Sequence, residues 1–145
     1  MRIYLDNCCF NRPFDNQSSI RVKLETDAKL FVQLKIKEGK IDLVWSYILD
    51  FENEANPFPE RKSTIDKWRR LSETDIAENS NILSKAVDLT KNGLKPKDAL
   101  HIACAIAAKC EYFLTTDDQV LKKMANNSDI SVINPTDFIK IIEEL

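Results

Sequence analysis

Glycine is nearly missing from this chain: of 145 residues, only Gly39 and Gly93 are glycine. Two glycines this far apart cannot build a glycine-rich phosphate-cradling loop, so nucleotide-binding motifs that need one are excluded. A large excess of either charge is missing too. The formal net charge is -2, which gives no global basic signature, and any nucleic-acid contact must come from local patches. No apolar run is long enough to span a membrane, and the first residues read as a strand rather than a signal peptide. A cytoplasmic protein with no membrane partner is the expectation. The four cysteines are Cys8, Cys9, Cys104 and Cys110. Neither the adjacent pair nor the later pair has zinc-site spacing, and a chain of this kind reads as carrying free, partly buried thiols rather than a disulfide framework.

What is present fits an ordinary globular core in a single domain spanning 1–145. Arg2 to Leu5 reads as a strand, and Asp6 follows it directly. Asn7 to Asn16 reads as a loop. Ser18 or Ser19 can cap a helix running from Ile20 to Lys37, whose apolar residues fall at near-helical spacing, and Gly39 ends it. Ile41 to Trp45 is a second strand. Ser46 caps a helix that holds Glu52, and Pro57 and Pro59 break it. Glu60 to Leu71 reads as a helix with Ile65, Trp68 and Leu71 on one face and Arg61, Lys62, Lys67, Arg69 and Arg70 on the other. A further helix runs from Ile76 to Lys91.

Leu94 to Asp118 organises the rest. From Ala99 to Ala108 almost no polar face is left, and a helix apolar nearly all round is a buried one. Tyr112 to Leu114 then reads as a core strand ending in acid. A short helix, a last strand at Ile130 to Ile133 and a final helix complete the chain. Strands separated by helices predict an α/β fold with a central parallel sheet of about four strands covered on both sides.

Four acids stand out: Asp6 after the first strand, Glu52 after the second, Asp98 where the buried helix starts, and Asp117 after the third. In an open parallel sheet, functional groups gather beyond the carboxyl ends of the strands. Carboxylates gathered in one crevice repel one another and call for protonation or a cation. Their hard oxygens suit Mg²⁺ or Mn²⁺, and the chemistry implied is metal-assisted phosphodiester hydrolysis. Each acid also has a structural use: Asp98 and Asp117 suit helix N-caps, Asp6 an Asx turn, and Glu52 a solvated helix face.

The ordered blocks YLDNCCFNRPFD, SYILDFE, LKPKDALHIACA and FLTTDD resemble the PIN-domain family over nearly the whole chain. The resemblance implies a three-layer α/β/α sandwich and a metal-dependent ribonuclease using Mg²⁺ or Mn²⁺. It also implies RNA as substrate and, for many members, a role as the toxin of a toxin–antitoxin pair. The family's acids fall on Asp6, Glu52, Asp98 and Asp117, with Asp118 as a neighbouring candidate and Thr115 or Thr116 as the hydroxyl before the last acid. Members commonly place Ser or Thr after the first acid; here Asn7 stands there, and an amide can still bond a water or phosphate. Two other acidic α/β folds fit less well. A haloacid-dehalogenase-like phosphatase needs a second Asp where Cys8 stands, and a receiver domain needs paired acids after the first strand.

His101, the only histidine, lies one turn after Asp98, so the two can pair along the helix. Arg12, near Asp6 in sequence, is the first candidate for holding an RNA phosphate. A partner antitoxin would insert a basic side chain into the acidic site, and leftover apolar helix faces would favour a homodimer. A second reading keeps the fold but leaves the acids as caps, with the chain binding RNA or protein without cutting; Asn7 in place of a hydroxyl favours it.

Overall fold

Successive side chains of a strand face opposite layers. In Arg2–Leu5, strand β1, this alternation divides the core. Tyr4 points to one layer, where its ring stacks on Phe113 at 5.2 Å between centroids and meets His101 edge-on at 5.6 Å. Tyr4 is in register with Val44 and Phe113, so Trp45 and Tyr112, one position away, face the other layer. There Trp45 packs against Phe10 and Tyr112 against Phe138.

The computed structural model describes residues 1–145. The strands after β1 are β2 (Asp42–Ser46), β3 (Thr74–Ile76), β4 (Tyr112–Leu114) and β5 (Ser131–Ile133). They lie in the order β3-β2-β1-β4-β5 in a 5-stranded sheet, and every pairing is parallel. The helices are α1 (Asn7–Asn11), α2 (Ile20–Lys37), α3 (Tyr47–Glu54), α4 (Pro59–Arg69), α5 (Ser80–Thr90), α6 (Pro96–Ala107), α7 (Asp118–Lys123) and α8 (Pro135–Ile142), with a 3₁₀ turn at Arg12–Phe14. The architecture is the expected three-layer α/β/α sandwich with one strand more. No helix is long and apolar enough to cross a membrane.

The added strand is β3, where the sequence pattern put the start of a helix at Ile76. Three residues, TDI, are too few to display alternation, and β3 forms only by pairing along the edge of β2. The segment after Asp6, read as a loop, is helical. Cys9 and Phe10 bury themselves in the core and anchor α1. Leu71, expected on the buried face of α4, is exposed, because the helix ends at Arg69.

Ser19 caps α2 through a bond from Val22 N, and Gly39 ends it at a φ of 74°, a conformation that glycine adopts without strain. The buried stripe of α2 is mixed: Ala28, Val32 and Ile36 enter the core, and polar side chains go in beside them. Leu24, Leu30 and Leu34 are exposed, while Glu25, Lys29 and Gln33 are buried. Glu25 is stabilised there by Arg12, Arg21 and Asn134. Helix α6 begins with Pro96 at its first position, where the missing N–H costs nothing. Ala99, Ile102, Ala103, Cys104 and Ala105 are buried, as the all-round apolar pattern requires.

From β1 the chain steps to β2 on one side, and from β4 to β5 on the other. The carboxyl ends of β1 and β4 therefore flank the point where the strand order reverses, which is where open α/β sheets form their crevice.

Candidate active site

Asp6 leaves the end of β1 with its backbone N–H bonded to Leu114 O at 2.9 Å. Its Oδ1 accepts from Asn7 N at 2.8 Å, capping α1. Its Oδ2 accepts from Thr115 Oγ1 at 2.7 Å. The same buried hydroxyl accepts from Asp117 N at 3.1 Å. Thr115 thus ties the end of β1 to the turn after β4 and fixes two acids at once. Asp117 Oδ1 caps α7 through Gln119 N and Val120 N, at 2.9 and 3.3 Å. Capping occupies one carboxylate oxygen and leaves Oδ2 for the cleft, so the structural and chemical uses of Asp117 coexist.

Asp98 sits in the first turn of α6 but is not its cap; that position is Lys95. Asp6, Glu52, Asp98 and Asp117 line one cleft of about 620 Å³, together with Asn7, Cys8, Lys95, Pro96 and Lys97. Burial pushes the Asp98 carboxyl above its usual range, and the charges of Asp6, Asp117 and Glu52 push it further. The charge of His101 offsets this only in part, and no hydrogen bond from the protein reaches the Asp98 carboxyl.

Glu52 is held differently. Its Oε1 bonds His101 Nε2, and its Oε2 accepts from Asn7 Nδ2 at 3.0 Å. Burial alone would raise its pKa. The His101 bond and charge, with help from Lys97 and Asn7, outweigh burial and hold Glu52 below the ordinary carboxylate range. Asn7, standing where a hydroxyl was expected, serves as a clamp on Glu52.

Behind this pair runs a buried chain of bonds. His101 Nδ1 meets Tyr4 OH at 2.5 Å, Tyr4 OH meets Ser46 Oγ at 2.6 Å, and Ser46 Oγ accepts from Leu49 N at 3.2 Å. An ionised carboxylate only accepts, so Nε2 carries a proton. While the ring is neutral, Nδ1 is the acceptor, Tyr4 O–H donates to it and Ser46 donates to Tyr4; when His101 carries the charge that acts on Glu52, Nδ1 donates to Tyr4 OH instead. Burial holds the Tyr4 phenol well above its usual pKa, keeping that donor in place. Tyr4→Phe keeps the ring stack and removes one link. It is expected to lower stability by about 1–2 kcal/mol in urea titration, the cost of leaving His101 Nδ1 unpaired; an unchanged midpoint would contradict the relay.

The structure thus brings Asp6, Asn7, Glu52, Asp98, Thr115 and Asp117 together. Arg12 is elsewhere: its guanidinium bonds Glu25 at 3.0 Å and Asp15 at 3.1 Å, and the cations lining the cleft are Lys95 and Lys97. Asp118 is exposed and bonded twice by Arg21, at 2.7 and 2.8 Å. Thr116 turns its backbone to Cys8 Sγ and to Arg21. His101 reaches Glu52, 49 residues away in sequence, and bonds neither oxygen of Asp98. Nothing in the local sequence signals the Tyr4–His101–Glu52 relay, because its members come from β1, α6 and α3.

No three His, Cys, Asp or Glu side chains form a ready-made cage for a metal ion. The donor set is nonetheless one that a hard divalent cation fits: repelling carboxylates, one of them without a bond, in an open cleft with room for the waters that Mg²⁺ retains.

The sequence model of the family described as "PIN domain" matches residues 51–127, a span that includes Glu52, Asp98 and Asp117. Among solved structures, the chain is similar to VapBC2 from Rickettsia felis, a complex bound to a DNA fragment from its promoter. The identity is 16%, 92% of this chain and 98% of that chain are covered, and the TM-score is 0.58. It is similar to a toxin–antitoxin complex from Klebsiella pneumoniae, with 20% identity, 92% and 97% coverage and a TM-score of 0.56. It is also similar to VapBC-1 from nontypeable Haemophilus influenzae, with 15% identity, 94% and 99% coverage and a TM-score of 0.56. At these identities the likeness is one of fold. No curated protein matches the chain in sequence.

Proposed function

Because the chain belongs to the PIN-domain family, we propose that its acidic cleft is the active site of a metal-dependent endoribonuclease that hydrolyses RNA phosphodiester bonds. The observation that carries this reading is the convergence of Asp6, Glu52, Asp98 and Asp117 on one cleft at the sheet's switch point. Carboxylates brought together at the cost of mutual repulsion are the mark of a cation site.

Asp6, Asp98 and Asp117 would hold a Mg²⁺ or Mn²⁺ ion. When bound, the ion supplies charge to polarise a phosphate oxygen and acidifies a water. Thr115 keeps Asp6 and the Asp117 turn in fixed relation. Asp98, pushed upward by burial and by its acidic neighbours, is the acid whose charge a bound cation would relieve most. Glu52, kept ionised by His101 and clamped by Asn7, orients a water rather than gripping the ion. Lys95 and Lys97 meet the phosphate oxygens of the strand at the cleft wall.

Water, not the ribose 2′-hydroxyl, is the attacking group in this scheme. RNA cut by the protein with Mn²⁺ is therefore expected to carry no 2′,3′-cyclic phosphate ends, as read by mass spectrometry of the fragments. Cyclic ends would overturn the hydrolytic mechanism.

The similarity to toxin–antitoxin complexes supports a further part of the reading: the chain is the toxin of such a pair. An antitoxin would then silence the cleft by placing a basic side chain among the four acids, where opposite charge is most stabilised.

A further inference from the structure

A second cleft lies between α2 and α4, and its character is opposite to the first. Its volume is about 410 Å³, and Lys29, Lys37 and Lys67 line it with no acidic side chain among its walls. Gln33, also in its lining, is buried, and its Nε2 has no hydrogen-bond partner. A buried amide donor left unpaired costs about 1–3 kcal/mol, and this one is sealed inside the cleft wall. Lys29 is buried as well, without a carboxylate beside it, and burial brings its pKa down to about 8. It rests over Phe10 at 5.5 Å and Trp68 at 5.9 Å. Lys37 lies over Trp68 at 5.2 Å.

Three ammonium groups with no carboxylate among the walls select an anion. The lysines against Trp68 leave its ring no free role as a platform for a stacked base, so the guest is a charged group. Position favours one source for it. Asn7 and Glu52 line both the acidic cleft and a neighbouring hollow that also holds Phe58 and Arg61. Arg61 lies over Phe58 at 4.5 Å and donates to Phe14 O at 2.7 Å, and Phe14 lines the lysine pocket. A strip of surface thus leads from the four acids past Arg61 to the lysines.

We infer that the pocket lined by Lys29, Gln33, Lys37 and Lys67 binds a backbone phosphate of the RNA strand outside the cut site. As a substrate subsite it rests on the nuclease reading above, and it would set how long a strand the protein needs for tight binding.

The test separates binding from cutting. Anisotropy of a labelled single-stranded RNA is measured in EDTA, over a salt series, for the wild type, Lys29→Met and Lys67→Ala. Either variant is expected to weaken binding about tenfold at low salt. The slope of log K against log salt is expected to become shallower by about 0.7 for each phosphate that the variant leaves unneutralised. Lys67 is exposed, so its variant reports on the pocket even if Lys29→Met disturbs packing. Hydrolysis of a small activated phosphodiester with Mn²⁺, which needs the acidic cleft alone, is expected to stay unchanged in Lys67→Ala. RNA affinity and salt slope equal to wild type in Lys67→Ala and Lys29→Met would overturn the inference. Displacement of RNA by poly-glutamate at matched charge would overturn it too, in favour of an acidic protein segment. Lysine-dependent RNA binding without any hydrolysis would leave the subsite standing and sink the nuclease reading instead.

Discussion

Asp98→Asn is expected to lower metal-dependent RNA cleavage by at least about 100-fold, the loss of several kcal/mol of cation-mediated stabilisation, while leaving the fold intact. The same substitution has a second effect of opposite sign. The folded-state pKa of Asp98 is raised by burial and by Asp6, Asp117 and Glu52. Its contribution to stability is therefore fully present below the unfolded carboxyl value, about 3.9, and is lost as pH rises through the folded value. At neutral pH, ionised Asp98 is a net cost that asparagine does not carry. In EDTA the variant is expected to melt higher than the wild type, and the gap is expected to close in acid. With cation present the order reverses, since only the wild type gains from binding: about 2.7 kcal/mol when the ion is at 100 times its dissociation constant. A variant that melts lower than wild type in EDTA at neutral pH would show that Asp98 serves the fold and not a cation.

His101→Ala is expected to be the most damaging single change to the fold near the cleft. It leaves Glu52 half-buried without its main partner, deprives Tyr4 OH of its acceptor and opens a cavity beside α6. The expected loss is about 3–5 kcal/mol, read as a fall in Tm on the order of 10 °C. Part of the gap depends on pH in a defined direction. Glu52 has a lowered folded-state pKa, with His101 as the leading favourable cause. Its contribution is present above the unfolded value, about 4.3, and lost as pH falls through the depressed folded value. The difference between wild type and His101→Ala should therefore narrow in acid below that window. A difference under about 1 kcal/mol at neutral pH would mean that the relay does not hold Glu52.

Three of the acids were legible because each stands where an element changes, whereas Glu52 lies inside α3. Asp6 and Asp117 follow apolar strands, and Asp98 follows the proline that starts α6. The apolar surround of α6 and the stop at Gly39 were equally plain. Pairings between distant residues were not. Arg12 looked free in sequence, yet Glu25 and Asp15 take its guanidinium, and only the fold brings Glu25 near. His101 has Asp98 as its neighbour along the helix, but Tyr4 and Glu52 meet it from other elements. Strand β3 and helix α1 are too short to carry a period, and they form because β2 offers an edge and Phe10 a buried anchor. In α2, helical spacing picked out Ala28, Val32 and Ile36, which are buried, but also Leu24, Leu30 and Leu34, which are exposed, while Glu25, Lys29 and Gln33 turn inward because buried partners or a cleft wall receive them.

The most direct measurement is cleavage of a mixed pool of short RNAs by the wild type and Asp6→Asn, each with Mn²⁺, with Mg²⁺ and with EDTA. Thr115 and Asn7 hold Asp6 in the cleft, and its amide variant keeps the size while removing the charge. Cutting that needs the cation and disappears in Asp6→Asn is the predicted result. Cutting that survives EDTA, or that Asp6→Asn leaves untouched, would contradict a cation-dependent site built on these four acids.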